Sequence, residues 1–146
     1  MESLHAACVA LGEVGVLILG PSGSGKSTLA LLLADSPGGA LVADDRVRVS
    51  LRDGRPVARA HPAEAGRVEI RGQGLLTAGR LGLATRADAI LALAVDLVET
   101  AQRLPEPPED WPVLGVALPR LVLDRAVRQA GLAPLLVRAA LRNTGA

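Results

Sequence analysis

Residues 20–27 read Gly20-Pro21-Ser22-Gly23-Ser24-Gly25-Lys26-Ser27: a glycine, four free positions, then Gly-Lys-Ser. The flanks narrow what this stretch can be. Val14-Gly15-Val16-Leu17-Ile18-Leu19 is apolar and partly β-branched, the pattern of a buried strand. Thr28-Leu29-Ala30-Leu31-Leu32-Leu33-Ala34 predicts a helix running to about Asp35. Strand, glycine loop and helix in that order are the setting in which the pattern makes a phosphate-binding P-loop. Gly23 and Gly25 allow backbone conformations closed to other residues, so that successive N–H groups converge on one anion. The helix N-terminus adds the positive end of its dipole. The phosphate cradle is therefore assigned to Gly20, Pro21, Ser22, Gly23, Ser24, Gly25, Lys26, Ser27 and Thr28. Lys26 is expected to reach the β and γ phosphates, and the Ser27 hydroxyl to ligate Mg²⁺. The alternative is an ordinary Gly-Ser turn between strand and helix. Against it, Lys26 is the only lysine in a chain whose other basic side chains are all arginine. The exception falls at the one position that needs a compact ammonium on a long stem.

Composition sets the outer bounds. A chain of 146 residues predicts a single domain, residues 1–146, with a real core. Hydrophobic residues make up 49%, which argues against disorder. A net charge of +1 gives no general electrostatic footprint for nucleic acid, and the absence of Phe and Tyr leaves only Trp111 to stack on bases. For the same reason a purine ring must be held by aliphatic or Arg contacts, which predicts weak base discrimination. Cys8 is the only cysteine, so no internal disulfide forms, and its apolar setting reads as a buried strand. The N-terminus does not read as a signal peptide, and no apolar segment is long enough to span a bilayer. A cytoplasmic protein with no membrane partner is expected.

Along the chain, residues 4–11 predict one strand, Gly12-Glu13 a tight turn, and residues 14–19 the returning strand of a hairpin. The fold class expected is α/β: a mixed sheet containing the P-loop, with flanking helices and an antiparallel N-terminal hairpin at its edge. Ser36-Pro37-Gly38-Gly39 ends the first helix. Residues 40–43 form a short strand running into Asp44-Asp45. Residues 46–51 alternate polar and apolar, Asp53-Gly54 turns, and residues 56–60 return. Residues 61–66 read as loop, with His61 on the surface. Residues 68–72 are extended and lead to a bend at Gln73-Gly74, and residues 75–83 are ambiguous. Residues 89–97 read as a central strand ending at Asp96. Residues 102–112 are a surface loop, residues 113–123 extended, and residues 125–143 helical with an interruption near Gly131 and Pro134.

Phosphate chemistry needs acidic residues beyond the loop, to hold the metal or take a proton. Two apolar strands supply them, one before Asp44-Asp45 and one at Asp96. Both stand at strand carboxyl ends, where ligands gather in open α/β sheets. Adjacent carboxylates are costly without a cation or partner nearby, which favours Asp44-Asp45. Elsewhere the residues leave alternatives open. His5 reads by itself as a half-buried strand histidine, Glu69 as a surface carboxylate paired with Arg67 or Arg71, and Arg103 as a solvated loop residue.

Four marks together resemble the catalytic domain of the HPr kinase/phosphorylase family, a bacterial protein kinase group built on a P-loop. They are His5 before the loop, the loop itself, Leu41-Val42-Ala43-Asp44-Asp45-Arg46-Val47, and Glu69-Ile70-Arg71-Gly72-Gln73-Gly74. The resemblance implies roles. Asp44 would be the general base toward a serine hydroxyl, and the acid in the reverse reaction. Lys26 and His5 would contact the transferring phosphoryl group, Ser27 and Glu69 would hold Mg²⁺, and Arg103 would be the catalytic arginine. It further implies ATP as phosphoryl donor, the phosphocarrier HPr or a paralogue as protein substrate, a C-terminal docking helix and a homo-oligomer, hexameric in the family. The family's full-length members carry an N-terminal domain, for which no residues stand before Met1. Their Val-Arg-Pro-Gly-Arg-Asn-like C-terminal run is not recognisable here; Arg125 and Arg128 are the nearest basic residues. That bears on the reverse phosphorylase reaction. A nucleotide-sensing module with little catalysis and a small-molecule P-loop kinase remain the alternatives. No clear Arg-rich lid supports the latter.

Overall fold

In a computed structural model, residues 1–104 and 106–144 are described. Twelve strands and three helices follow one another as β1 (Glu2–His5), β2 (Ala7–Leu11), β3 (Val14–Leu19), α1 (Lys26–Ala34), β4 (Gly39–Ala43), β5 (Arg46–Arg52), β6 (Arg55–Ala60), β7 (Arg67–Ile70), β8 (Gly74–Thr77), β9 (Asp88–Leu97), β10 (Trp111–Val113), β11 (Val116–Leu118), β12 (Arg120–Leu123), α2 (Arg125–Gln129) and α3 (Ala133–Asn143). The main sheet runs β1-β5-β6-β9-β3-β2-β4, with β12 paired to the far half of β9. β3 and β12 lie parallel to β9, and the remaining pairs are antiparallel. The expected mixed α/β fold is therefore the one found. Among the described residues no helix is long and apolar enough to cross a membrane.

The sheet curls because its two ends belong to the same pair of segments. Residues 2–11 do not make one strand, as the sequence predicted, but two. β1 pairs β5 while β2 pairs β4, and the break falls at Ala6. Opposite that break stands the Asp44-Asp45 corner between β4 and β5, tied to it by the Ala6 N–H donating to the Asp45 carbonyl at 3.1 Å. A strand exchanges partners here because the facing chain carries two residues that do not join the ladder. The N-terminal hairpin forms as expected, but its first strand is interior, with β4 outside it.

Small side chains line one face of the sheet. Ala6, Cys8, Ala10, Ala40, Ala43, Ala58, Ala89 and Ala94 pack with Leu17, Val42, Val47, Val49 and Leu91, and Val113 and Leu118 of the β10–β11 hairpin close over them. Cys8 is fully buried there, and burial pushes its thiol up to about 12; it is the inert strand residue expected.

The other face carries α1 and α3. Leu29, Ala30 and Leu33 of α1 pack on Val9, Val16, Ile18, Val95 and Leu97, and Val137 and Leu141 of α3 complete the layer. Leu33 is wholly buried. Leu33→Ala is expected to lower unfolding stability by about 2–5 kcal/mol through lost transfer energy and a residual cavity, read from the denaturation midpoint at unchanged slope.

The Asp53-Gly54 turn is confirmed, with φ of 52° and 75°, the positive pair a two-residue hairpin turn needs. α1 begins at Lys26, two residues before the predicted start. Residues 75–83, ambiguous in sequence, begin within β8 and continue as turns. Residues 113–123 break into three short strands, and β10 takes Trp111 and Pro112 from the predicted loop, whose Pro105 lies outside the described residues. Asp96 does not end its strand. It lies within β9 and pairs with Arg120 across β12. His61 is half-buried, and its Nδ1 accepts from the Ala63 N–H at 3.2 Å. The two-part C-terminal helix, broken around Gly131, is as predicted.

Candidate active site

The site grows from the carboxyl end of β3. The chain leaves Leu19 into the glycine loop, and Gly25 precedes α1 at φ 95° and ψ 22°, a left-handed conformation that costs glycine nothing. No side chain caps α1, and its first turn holds no acidic residue. The leading N–H groups of the helix are thus open donors. The buried Ser24 Oγ beside them has no hydrogen-bond partner. Lys26 is only 7% exposed, and its ammonium donates to the Gly20 carbonyl at 2.7 Å and the Pro21 carbonyl at 3.0 Å. Two of its three protons are so used, which fixes the third relative to the loop.

Asp44 comes in from the β4–β5 corner. One carboxylate oxygen, Oδ2, accepts from the Glu69 backbone N–H at 3.3 Å. The other, Oδ1, is buried without a partner. Burial raises the Asp44 carboxyl above the usual aspartate range, and the neighbouring Asp45 and Glu69 charges add to this. The Ser27 hydroxyl, close by but outside hydrogen-bonding geometry, and the Glu69 N–H pull the other way. Asp45 is exposed and holds His5 Nε2 at 3.3 Å. His5 reaches it because β1 pairs β5 in the register His5↔Arg46, one residue beyond the corner.

Two clefts meet at these residues. One, of about 410 Å³, is lined by the loop and by His5, Lys26, Ser27, Asp45, Glu69 and Arg71. The second, of about 320 Å³, is lined by Ser27, Asp44, Asp45, Glu64, Arg67, Glu69 and Leu75. Ser27, Asp45 and Glu69 border both. A third, about 380 Å³, opens on the other side of the loop between Leu29, Leu32, Gln129, Ala133 and Pro134, with Glu99, Arg125 and Arg128 around it.

The structure thus brings together most of the residues singled out in sequence. Glu69 lines both clefts, and among the described residues it makes no ion pair with Arg67 or Arg71. Arg103 is exposed in the segment after β9 and lines none of these clefts. Asp96 stays apart, engaged by Arg120. Sequence reasoning gave no site role to Glu64, Arg67, Leu75 or Gln129. Arg71 was visible only as part of the Glu-Ile-Arg-Gly run, as a possible partner for Glu69. Among the described residues no group of three His, Cys, Asp or Glu could hold a metal unaided. The Ser27 hydroxyl and the Glu69 carboxylate, which border both clefts, nevertheless fit Mg²⁺, which takes one or two protein oxygens and fills the rest with phosphate and water.

Fold and site together define a mixed α/β domain in which a glycine loop and the uncapped start of α1 stand near a pair of carboxylates. The chain belongs to the family of the HPr Serine kinase C-terminal domain, which it matches over residues 1–145. It is 36% identical over 130 residues to an HPr kinase/phosphorylase of Latilactobacillus sakei, covering 84% of this chain and 41% of that one. To an HPr kinase/phosphorylase of Burkholderia lata it is 38% identical over 149 aligned positions, covering 97% of this chain and 45% of the relative. It spans less than half the length of these curated relatives. The solved structure of the Hpr(Ser) kinase/phosphatase from Coxiella burnetii superposes with a TM-score of 0.81 at 26% identity, over 98% of this chain and 90% of that one.

Proposed function

We propose that this domain is an ATP-dependent protein-serine kinase acting on the phosphocarrier HPr or a related phosphotransfer protein. The observation that carries the reading is Asp44: a half-buried carboxylate with one orphaned oxygen, lining a cleft that shares Ser27, Asp45 and Glu69 with the cleft beside the glycine loop. The loop N–H groups and Lys26 bind the β and γ phosphates and hold them in line. Lys26 and His5 face the oxygens on which charge gathers during transfer. Asp44 takes the proton from the incoming serine hydroxyl. A raised pKa suits that task, because a base near the working pH transfers protons best. Mg²⁺, held through Ser27 and Glu69, supplies neutralisation of the β and γ oxygens when bound. Arg103 would have to approach with the substrate, since it stands outside the clefts. The third cleft, apolar along Leu29, Leu32 and Ala133, suits the nucleoside. In the reverse direction a protonated Asp44 would return a proton to the serine oxygen while inorganic phosphate accepted the phosphoryl group. Family membership also supports a homo-oligomer, and the chemistry supports a cytoplasmic setting.

The test is incubation with γ-labelled ATP, Mg²⁺ and HPr. Label on an HPr serine, lost when Mg²⁺ is chelated, is the expected result. Nucleotide binding with no transfer to HPr would instead favour the sensing module. With no aromatic ring in the nucleoside cleft, GTP is expected to replace ATP within about tenfold in kcat/KM, a limit set by aliphatic contacts that distinguish shapes by only about 1–2 kcal/mol. A preference beyond a hundredfold would refute that assignment of the cleft.

A further inference from the structure

The face of the β5–β6 hairpin opposite Val47 and Val49 is lined with arginine. In β5, Val47 and Val49 point to the core, so Arg46, Arg48 and Arg52 point outward. In β6, Arg55 and Arg59 are exposed. The register sets Arg48 directly opposite Arg59, and Arg52 directly opposite Arg55. Like charges at directly opposed positions destabilise a sheet. Only two of these five side chains have a carboxylate within ion-pair distance, Arg46 with Glu64 at 3.6 Å and Arg52 with Asp88 at 3.0 Å. Arg48, Arg55 and Arg59 have no carboxylate within ion-pair distance among the described residues; Asp88, opposite Arg59 in the β6–β9 register, is taken by Arg52. A chain whose net charge is +1 thus concentrates unpaired positive charge on one strip. The strip is also placed with respect to the site. Its first residue, Arg46, pairs in register with His5 and bridges to Glu64, which lines the cleft holding Asp44.

We propose that this arginine face docks an acidic surface of the protein that delivers its hydroxyl to Asp44. The proposal rests on the kinase reading above and names where its substrate lands. Guanidinium groups at strand spacing offer bidentate contacts to several carboxylates at once. Their field, on a strip that starts at Arg46 beside Glu64 of the Asp44 cleft, would steer an acidic partner toward it. The opposed arginines are then a stability cost kept for binding rather than a packing accident.

Initial rates of HPr phosphorylation at several salt concentrations decide the matter. The proteins compared are wild type, the triple variant Arg48→Gln, Arg55→Gln, Arg59→Gln, and the single reversal Arg59→Glu. The triple variant is expected to lose about 10–30-fold in kcat/KM for HPr, mostly through KM, and to lose most of the salt dependence. Nucleotide affinity is expected to stay the same, and the melting temperature to hold or rise as opposed charges disappear. Unchanged kcat/KM with HPr overturns the docking face while leaving the kinase reading intact. Should wild type transfer nothing to HPr, HPr as the substrate fails instead, and binding of a fluorescent decaglutamate peptide decides the face alone. Peptide binding lost in the triple variant upholds an acidic partner. Absence of peptide binding by wild type, or tighter binding of a DNA duplex, overturns it.

Discussion

Asp44→Asn is expected to lower phosphoryl transfer to a serine acceptor by about 10²–10⁴, the usual worth of a positioned general base, while leaving nucleotide affinity within a few-fold. The amide keeps the shape of the carboxylate but cannot take the proton. It also separates the proposed kinase from a sensing module, because a module would bind nucleotide with no turnover to lose. The same substitution has a consequence for stability, and its sign follows from the pKa. Burial raises the carboxyl in the folded state, so the folded protein holds the proton more tightly than the unfolded chain does. Ionised Asp44 therefore costs stability above its folded pKa, and the cost disappears as pH falls below the unfolded value. Asp44→Asn is expected to melt a few degrees higher than wild type at pH 7 and to lose that advantage in acid, as thermal scans across pH would show. In wild type the transfer rate is expected to fall with pH through an apparent pKa above the normal aspartate range. An Asp44→Asn protein with full activity would remove the proposed base.

Lys26→Arg is expected to be nearly as damaging as Lys26→Ala, with each lowering kcat by about 10²–10³, the scale of losing one preorganised charge donor at the transition state. The chain tolerates arginine at every other basic position, so charge alone is not what this position selects. The ammonium sits in a pocket 7% exposed and donates to two carbonyls at 2.7 and 3.0 Å. A planar guanidinium cannot satisfy both carbonyls from inside the loop and still present a donor to a phosphate. Calorimetric nucleotide binding and single-turnover transfer, measured on both variants with their melting curves, check this. An arginine variant retaining most of its activity would mean that Lys26 acts as a distant charge and not as a positioned donor.

Much of the candidate site was legible because its geometry is local. The loop is fixed by glycines two residues apart and by a helix that begins on the lysine. The Asp53-Gly54 turn and the broken C-terminal helix follow from equally short-range rules. Asp44-Asp45 stood out as two carboxylates at the end of an apolar run. Asp96 had the same look but lies inside β9, against an arginine 24 residues further along the chain. No window around Asp96 contains that arginine. The split of residues 2–11 was hidden for a related reason: both halves have strand composition, and only the facing β4–β5 corner forces the change of partner.

What the sequence determined by itself is therefore the glycine loop, the order of strand, loop and helix, and the residue types from which the candidate site is built. Tertiary structure decided which of those residues meet. The Glu69 N–H reaches Asp44 across 25 positions, His5 reaches Asp45 through the register of β1 on β5, and arginines from two strands face each other on one strip. Backbone conformation and period are set by residues a few positions apart. Strand partners and register are set by which long-range pairing buries the most apolar surface, and that quantity belongs to the whole curled sheet and to no segment of it.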